Sequence, residues 1–368
     1  MVYLIGIGLT LSFAKVLSNE RLQKDKKNSL NLLLEILCML PMLIVSSLRR
    51  YDIGTDLLHV YIGGFERVNA GINTDNFEVG FKTLLQILGR VSQSPEILVF
   101  ATSFIFIFFT WKAIYDESVN IVFSLSILFA ARYYFISLNV IRQYIGMAIV
   151  LYAMQFIVKR QYVKFILLVF LAASFHSSLI LCLVLLICDR IKLNKKRRLA
   201  YFFIIIIIMT LLQNTAVISN IIDSVAGNFD KYTMYLDPNA VSGAYFAGAR
   251  FRLIQIVINI IIIIIMLGAY DKLKNDAYYN MFLYFELLAL LICLLMSSAP
   301  LMERVYWIFG FSQIIAIPQA INAYSNKNVK IFATVIILSL MTIFCVYDIF
   351  VLHDHQVVPY YFFFNRMI

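Results

Sequence analysis

The side chains with chemistry to offer in this 368-residue chain are ten arginines, one histidine set between serines, and a pair of aspartates around a glycine. Arg49-Arg50-Tyr51-Asp52-Ile53-Gly54-Thr55-Asp56 opens the longest polar stretch, 49–94, and runs on to Tyr61. Gly54 permits a tight turn and Thr55 or Asp56 can cap a following helix, so backbone N–H groups and Arg50 converge on one point suited to an anion. A plainer arrangement is open as well, in which Asp52 and Asp56 pair with Arg49 and Arg50 and only hold the loop. Asn139-Val140-Ile141-Arg142-Gln143-Tyr144 begins an apolar run with an arginine about one turn below its start, and an ionisable group within a span needs a polar cavity or a partner. Arg250 and Arg252 precede another run. Glu303-Arg304-Val305-Tyr306-Trp307 precedes a third, where Glu303 can neutralise Arg304 and the aromatics can join an interfacial belt. His176, within Ser174-Phe175-His176-Ser177-Ser178, can serve as base toward a hydroxyl, as donor to a phosphate, or as a satisfied core residue. No metal-ligand spacing links it to His59, His353 or His355, so neither a metal nor another cofactor is expected.

The elements that must hold these residues follow from composition. Hydrophobic residues make up 62% of the chain, charged residues 14%, and the mean hydropathy is +0.84, far from the roughly quarter-charged balance of soluble domains. A soluble fold is excluded, and at about 20 apolar residues per crossing the chain is filled by helical spans and short connections. The net charge of +10 then serves to orient helices, and no nucleic-acid partner is implied. Cys38, Cys182, Cys188, Cys293 and Cys345 lie singly in apolar runs and read as small core residues. The run 1–16 lacks a basic leader and a small-residue cleavage site, and reads as a retained first helix.

The connection from Asn19 to Asn28 carries Arg21, Lys24, Lys26 and Lys27, which puts it in the cytoplasm and the N-terminus outside. Further apolar runs fall at 30–48, 95–115, 118–137, 140–158, 163–188, 199–218, 251–269, 278–298, 305–324 and 329–350. Basic connections flank 163–188 on both sides, Lys159-Arg160 with Lys164 and then Arg190 to Arg198, so a single crossing there would reverse every later helix. The run is therefore expected to go out and return as two short helices with His176 at the outer apex. That gives an all-α polytopic fold of about twelve membrane segments with both termini outside. Pro318 is expected to kink the run 305–324.

With this topology 14 Lys and 5 Arg lie inside, against 2 Lys (Lys82, Lys231) and 10 Arg outside. Orientation by positive charge does not separate the two residue types, whereas the planar guanidinium fork matches phosphate bidentately. The outward set of Arg49, Arg50, Arg67, Arg90, Arg132, Arg142, Arg250, Arg252, Arg304 and Arg366 points to an anionic, phosphate-bearing ligand, with snorkelling to headgroups as the plain alternative. Thr83 to Val91 has the spacing of an interfacial helix. The outer loop 219–250, with Tyr232, Tyr235 and Tyr245, can cover a groove and stack on sugars, or merely connect. The whole of 1–368 reads as one transmembrane domain.

These segments, in this order, resemble the EpsG-like family of bacterial capsule and exopolysaccharide polymerases, relatives of the Wzy polymerases. The resemblance is carried by Arg50 to Asp56, by Asn139 to Gln143 followed by Leu151-Tyr152-Ala153, by the stretch around Phe175-His176, by Glu303 to Tyr306, and by the V-P-Y-Y-F-F-F run near the end. One position departs: Leu57 stands where an aromatic is expected, with Tyr61 a turn later. The resemblance implies a glycosyltransferase joining oligosaccharide units carried on undecaprenyl pyrophosphate, as donor and acceptor, at the outer face of the cytoplasmic membrane, with room for a chain-length regulator. In that reading Arg50, Arg142, Arg250, Arg252 and Arg304 contact pyrophosphate. His176 is the candidate base and Asp56 an alternative, and Arg49, Asp52, Tyr61, Asn139, Gln143 and Tyr306 line the substrate. Two rivals remain at this level: a lipid-linked oligosaccharide flippase, expected to carry deeper cations and paired halves, and a membrane O-acyltransferase of surface sugars, which would need a donor entry from the cytoplasm.

Overall fold

A computed structural model describes residues 1–22, 29–72, 77–188, 245–295 and 302–364, with single helical positions at 200, 203, 204 and 207. The described residues are mostly helical, and their one β-type pairing is an isolated antiparallel bridge between Arg49 and Phe362. Seven stretches are long and apolar enough to cross a membrane: Val2–Asn19, Leu30–Ser47, Glu96–Glu117, Ile141–Val158, Leu253–Leu273, Ala277–Leu294 and Lys327–Val351. Ile121–Ala130, Tyr162–Phe175 and Ser177–Cys188 are apolar helices of lesser length. Most of the run expected at 199–218, most of the loop 219–250 and the basic connection at Arg190 to Arg198 lie outside the described residues.

The chain divides into two compact units, 1–183 with 338–368, and 184–337. The first contains α1 (Val2–Leu22), α2 (Ser29–Ser47), α3 (Gly63–Asn69), α4 (Val79–Val91), α5 (Glu96–Glu117), α6 (Ile121–Ala130), α7 (Tyr133–Ser137), α8 (Ile141–Val158) and α9 (Tyr162–Phe175). At its centre is α8, 78% buried along its span, against 28% for α1 and 33% for the span in α2. A helix enclosed by others needs no polar face, which is why α8 carries apolar residues on every side after Gln143, with Gln155 near its end as the polar exception; α5 and α9 pack on it and α1 and α2 pack on each other. Arg132 breaks the run expected as one helix over 118–137. It adopts a left-handed conformation, φ 68°, between α6 and α7, and its guanidinium pairs with Asp348 and lies 4.0 Å over the Phe344 ring. A cation inside the apolar layer is tolerable only beside such a partner, and the left-handed residue turns the chain so that the two meet.

The run 163–188 is broken where its polar residues fall. Helix α9 ends at Phe175, His176 is extended at φ −152° and ψ 111°, and a 3-10 helix covers Ser177–Val184 before α10 (Leu185–Cys188).

The second unit holds α10, α11 (Tyr245–Leu273), α12 (Ala277–Leu295), α13 (Met302–Gly310) and α14 (Gln313–Asn322), and most of its contents pack on α12. The run expected over 305–324 with a kink at Pro318 is instead interrupted at Phe311-Ser312. The Ser312 hydroxyl turns back to the Phe309 carbonyl at 3.0 Å, and Pro318 sits within α14. The interruption aims Gln313 at Glu286 of α12: its Nε2 donates to both carboxylate oxygens, at 3.1 and 2.9 Å, and to Asn259 Oδ1 at 3.0 Å. Finally α15 (Lys327–Cys345) leads through a π-helical turn, Val346–Val351, to the C-terminal segment. All five cysteines are free and buried, as their apolar settings suggested.

Candidate functional site

The turn Arg50 to Asp56 is folded by its own polar residues. Arg50 grips Asp52 with two parallel bonds, Nε to Oδ1 at 2.7 Å and Nη2 to Oδ2 at 2.6 Å, and the fork holds the Asp52 carboxyl below its usual range. Gly54 takes φ +97°, where a side chain would be strained and its Cβ would come within 3.0 Å of the Leu138 carbonyl. The bare backbone can therefore lie against the start of α8, where Asn139 Oδ1 accepts the Asp56 N–H at 2.9 Å and the Thr55 hydroxyl at 3.1 Å. The chain continues into a π-helical turn, Leu57–Ile62, that carries Tyr61. Such turns often mark functional sites.

Tyr61 leads to the second cluster. Arg142, in the first turn of α8, has Tyr61, Phe77 and Phe81 around its guanidinium, with ring centroids at 6.0, 5.1 and 5.9 Å. Its Nη1 donates to Glu78 Oε2 at 2.5 Å. The other carboxylate oxygen, Oε1, accepts from the Ser177 N–H at 3.2 Å and from the Ser177 hydroxyl at 3.3 Å, and lies 3.6 Å from His176 Nδ1. Glu78 thus joins Arg142 to His176, two residues 34 positions apart in sequence. The side chains of Glu78, His176 and Arg142 are 12%, 10% and 18% exposed, so the cluster is largely dehydrated while still reachable. Glu78 immediately precedes α4, and the close approach of α4 to the end of α9 depends on Gly80: a Cβ there would fall 2.8 Å from the Ser174 carbonyl. The helix expected over Thr83 to Val91 begins at Val79 and buries Phe81, Leu85 and Leu88.

The other candidates distribute unevenly. Arg49 is 1% exposed and spends its donors on Ser46 O, Ser103 Oγ and Leu138 O, with burial pulling its pKa down to about 10. It closes the end of α2 beside a water-sized cavity, with those donors committed inside the fold. Arg132 is likewise committed, to Asp348. Arg67 and Arg90 are exposed. Gln143 is buried within the first turn of α8. Tyr306 is 2% exposed, and its hydroxyl is bonded to Gln255 and Asn259. Arg304 is half-buried in α13 of the second unit. Arg250 and Arg252 fall in the first turns of α11, and Arg366, Tyr232 and Tyr235 lie outside the described residues. Among the described residues no three His, Cys, Asp or Glu side chains gather as metal ligands.

Sequence reading passed over Glu78. Its signal was present: an acidic residue at the entry of an amphipathic helix, between Phe77 and Phe81, in the polar stretch that also holds the glycine turn.

A helical bundle of many apolar spans, with its ionisable groups drawn together at helix ends, defines a multi-pass membrane protein. The chain belongs to the EpsG family, whose profile matches residues 32–362, a range that takes in every motif named above except the last two residues of the V-P-Y-Y-F-F-F run, Phe363 and Phe364. Proteins of this kind are Wzy-type polysaccharide polymerases. No curated protein and no solved structure matches the chain.

Proposed function

We propose that this chain polymerises oligosaccharide repeat units carried on undecaprenyl pyrophosphate, acting at the outer face of the bacterial cytoplasmic membrane with about twelve segments in the bilayer. The observation that carries the reading is Glu78, in contact with Arg142 on one side and beside His176 on the other. In the reaction a bond forms between an acceptor sugar oxygen and the donor's anomeric carbon. The bond from that carbon to the pyrophosphate oxygen breaks, the lipid pyrophosphate leaves, and the hydroxyl proton passes to a base.

His176 takes that proton. With Nδ1 turned to Glu78, the Nε2 lone pair faces the acceptor hydroxyl, and the carboxylate stabilises the imidazolium as it forms. The 3.6 Å separation is longer than a hydrogen bond, and contacts of this type tighten when substrate binds. Arg142 receives the leaving pyrophosphate; a guanidinium has five N–H donors and can hold Glu78 and a phosphate oxygen together. Arg50 extends the anion-binding surface, and Asp56, presented by the glycine turn, orients the acceptor or shares the base role.

The test uses the full chain in a strain lacking its own copy of the gene, with His176→Ala and Arg142→Lys compared at equal membrane levels. Surface polysaccharide is sized on gels, and lipid-linked units are assayed for outward exposure. Each variant should lose long chains by about 100-fold or more while single units accumulate outside. Units accumulating only on the cytoplasmic face would replace the polymerase reading with transport, and normal long chains from both would return the two residues to structural roles.

A further inference from the structure

Beyond the second π-helical turn the C-terminal segment adopts a conformation that ordinary residues avoid. His353, His355 and Gln356 take φ values of 56°, 58° and 51°, in the left-handed region where the Cβ crowds the backbone. Backbone of this kind persists where its surroundings over-determine it, and it concentrates at working sites. Here it delivers two groups to the glycine turn. The Gln356 carbonyl accepts the Gly54 N–H at 3.1 Å, and His355 Nδ1 lies 3.0 Å from Asn139 Nδ2, with the imidazole only 13% exposed.

The chemistry of that contact can be assigned atom by atom. One end of the Asn139 amide faces the Asp56 N–H, which can only donate, so that end is oxygen and the end facing His355 is NH2. His355 Nδ1 is therefore the acceptor, and its proton lies on Nε2, 3.5 Å from Asp354 Oδ2. A single neutral tautomer completes the chain of bonds from His355 through Asn139 to the backbone of Asp56.

We infer that His355 is a positioning residue for the polymerisation site: its Nδ1 lone pair fixes Asn139, and through Asn139 the turn that presents Asp56. The inference rests on the reading of this site as that of a polymerase. His355 touches no reactant. It holds the turn against the start of α8, three residues before Arg142, so the two polar clusters keep one register.

Isosteric replacement tests this. Asn at 355 can put its side-chain oxygen where Nδ1 stands, Gln puts its polar end nearer the place of Nε2, and Ala supplies nothing. In the purified full chain acting on its lipid-linked repeat unit, His355→Ala and His355→Gln should lower kcat about tenfold with KM little changed, and His355→Asn should restore most of it. Hydrogen exchange of residues 50–57 is read on the same preparations. It should quicken with Ala and Gln and stay at the wild-type rate with Asn. Unchanged exchange in His355→Ala overturns the inference, as does an Asn variant impaired as deeply as the Ala variant, which would mean that the imidazole itself is needed. If exchange follows the expected pattern while even the wild-type chain forms no polymer, the positioning role stands and the polymerase reading falls.

Discussion

Glu78 occupies a position that no single residue type would announce. A lone carboxylate in a polar loop is ordinarily solvated, and only the arrival of Arg142 from one helix and His176 from another gives this one its neighbours. Replacing it separates charge from shape. Glu78→Gln keeps the bonds to Ser177 but removes the charge that orients His176 and balances Arg142, so chain formation should fall about 100-fold with the protein still folded. Glu78→Ala should also cost about 2 kcal/mol of stability, between the values for exposed and fully buried pairs, because the Arg142 guanidinium is left among aromatic rings without its carboxylate. Thermal unfolding in detergent, read beside polymer yield, separates the two effects. The arginines teach the complementary lesson. Ten were counted as outward from sequence, yet Arg49 and Arg132 are committed inside the fold, to helix-end carbonyls and to Asp348. Residue type stated which ligand a guanidinium would suit, and burial decided which guanidinium could meet one.

Among the elements, those that matter most are interrupted. The break at His176, legible as the one polar stretch in an apolar run, removes the residue from a regular helix and lets the Ser177 N–H point at Glu78. The break at Arg132 was not legible, since its cause is Asp348, 216 residues away. The approach of α4 to α9 gives a prediction free of any chemical group: Gly80→Ala puts a Cβ 2.8 Å from the Ser174 carbonyl. Backbone cannot yield as a side-chain tip can, so α4 must shift and carry Glu78 from His176. An overpacking cost of about 1–3 kcal/mol is expected, with polymer yield falling well beyond what that loss of stability explains. Wild-type yield from Gly80→Ala would mean that the α4 to α9 contact does not set the site.

Across the whole molecule, each unit buries a polar centre in an apolar surround. In the second unit Glu286 is fully buried with Gln313 as its hydrogen-bond donor, and among the described residues no cation accompanies it. Gln313→Leu alone should therefore destabilise by about 2–4 kcal/mol, because the carboxyl loses its donor. Glu286→Leu combined with Gln313→Leu should recover most of that in a double-mutant cycle of unfolding free energies; strict additivity would show that the two act independently. In the first unit the chain ends meet: the Arg50 N–H donates to the Tyr361 carbonyl at 2.9 Å, Phe363 to Leu48, and the Tyr3 hydroxyl to Val357. The sequence by itself determined that this is a helical membrane protein, that its family is one of polymerases, and that Arg142, His176 and the glycine turn belong together in one order of motifs. Those follow from hydropathy, charge and residue types, which are local properties of the chain. Tertiary structure alone decided that Glu78 joins Arg142 to His176, that His355 meets Asn139, and that Arg49, Arg132 and Tyr306 bond to partners inside the fold. A side chain's role in a dehydrated interior is set by which distant partner satisfies it, and spacing along the chain does not encode that partner.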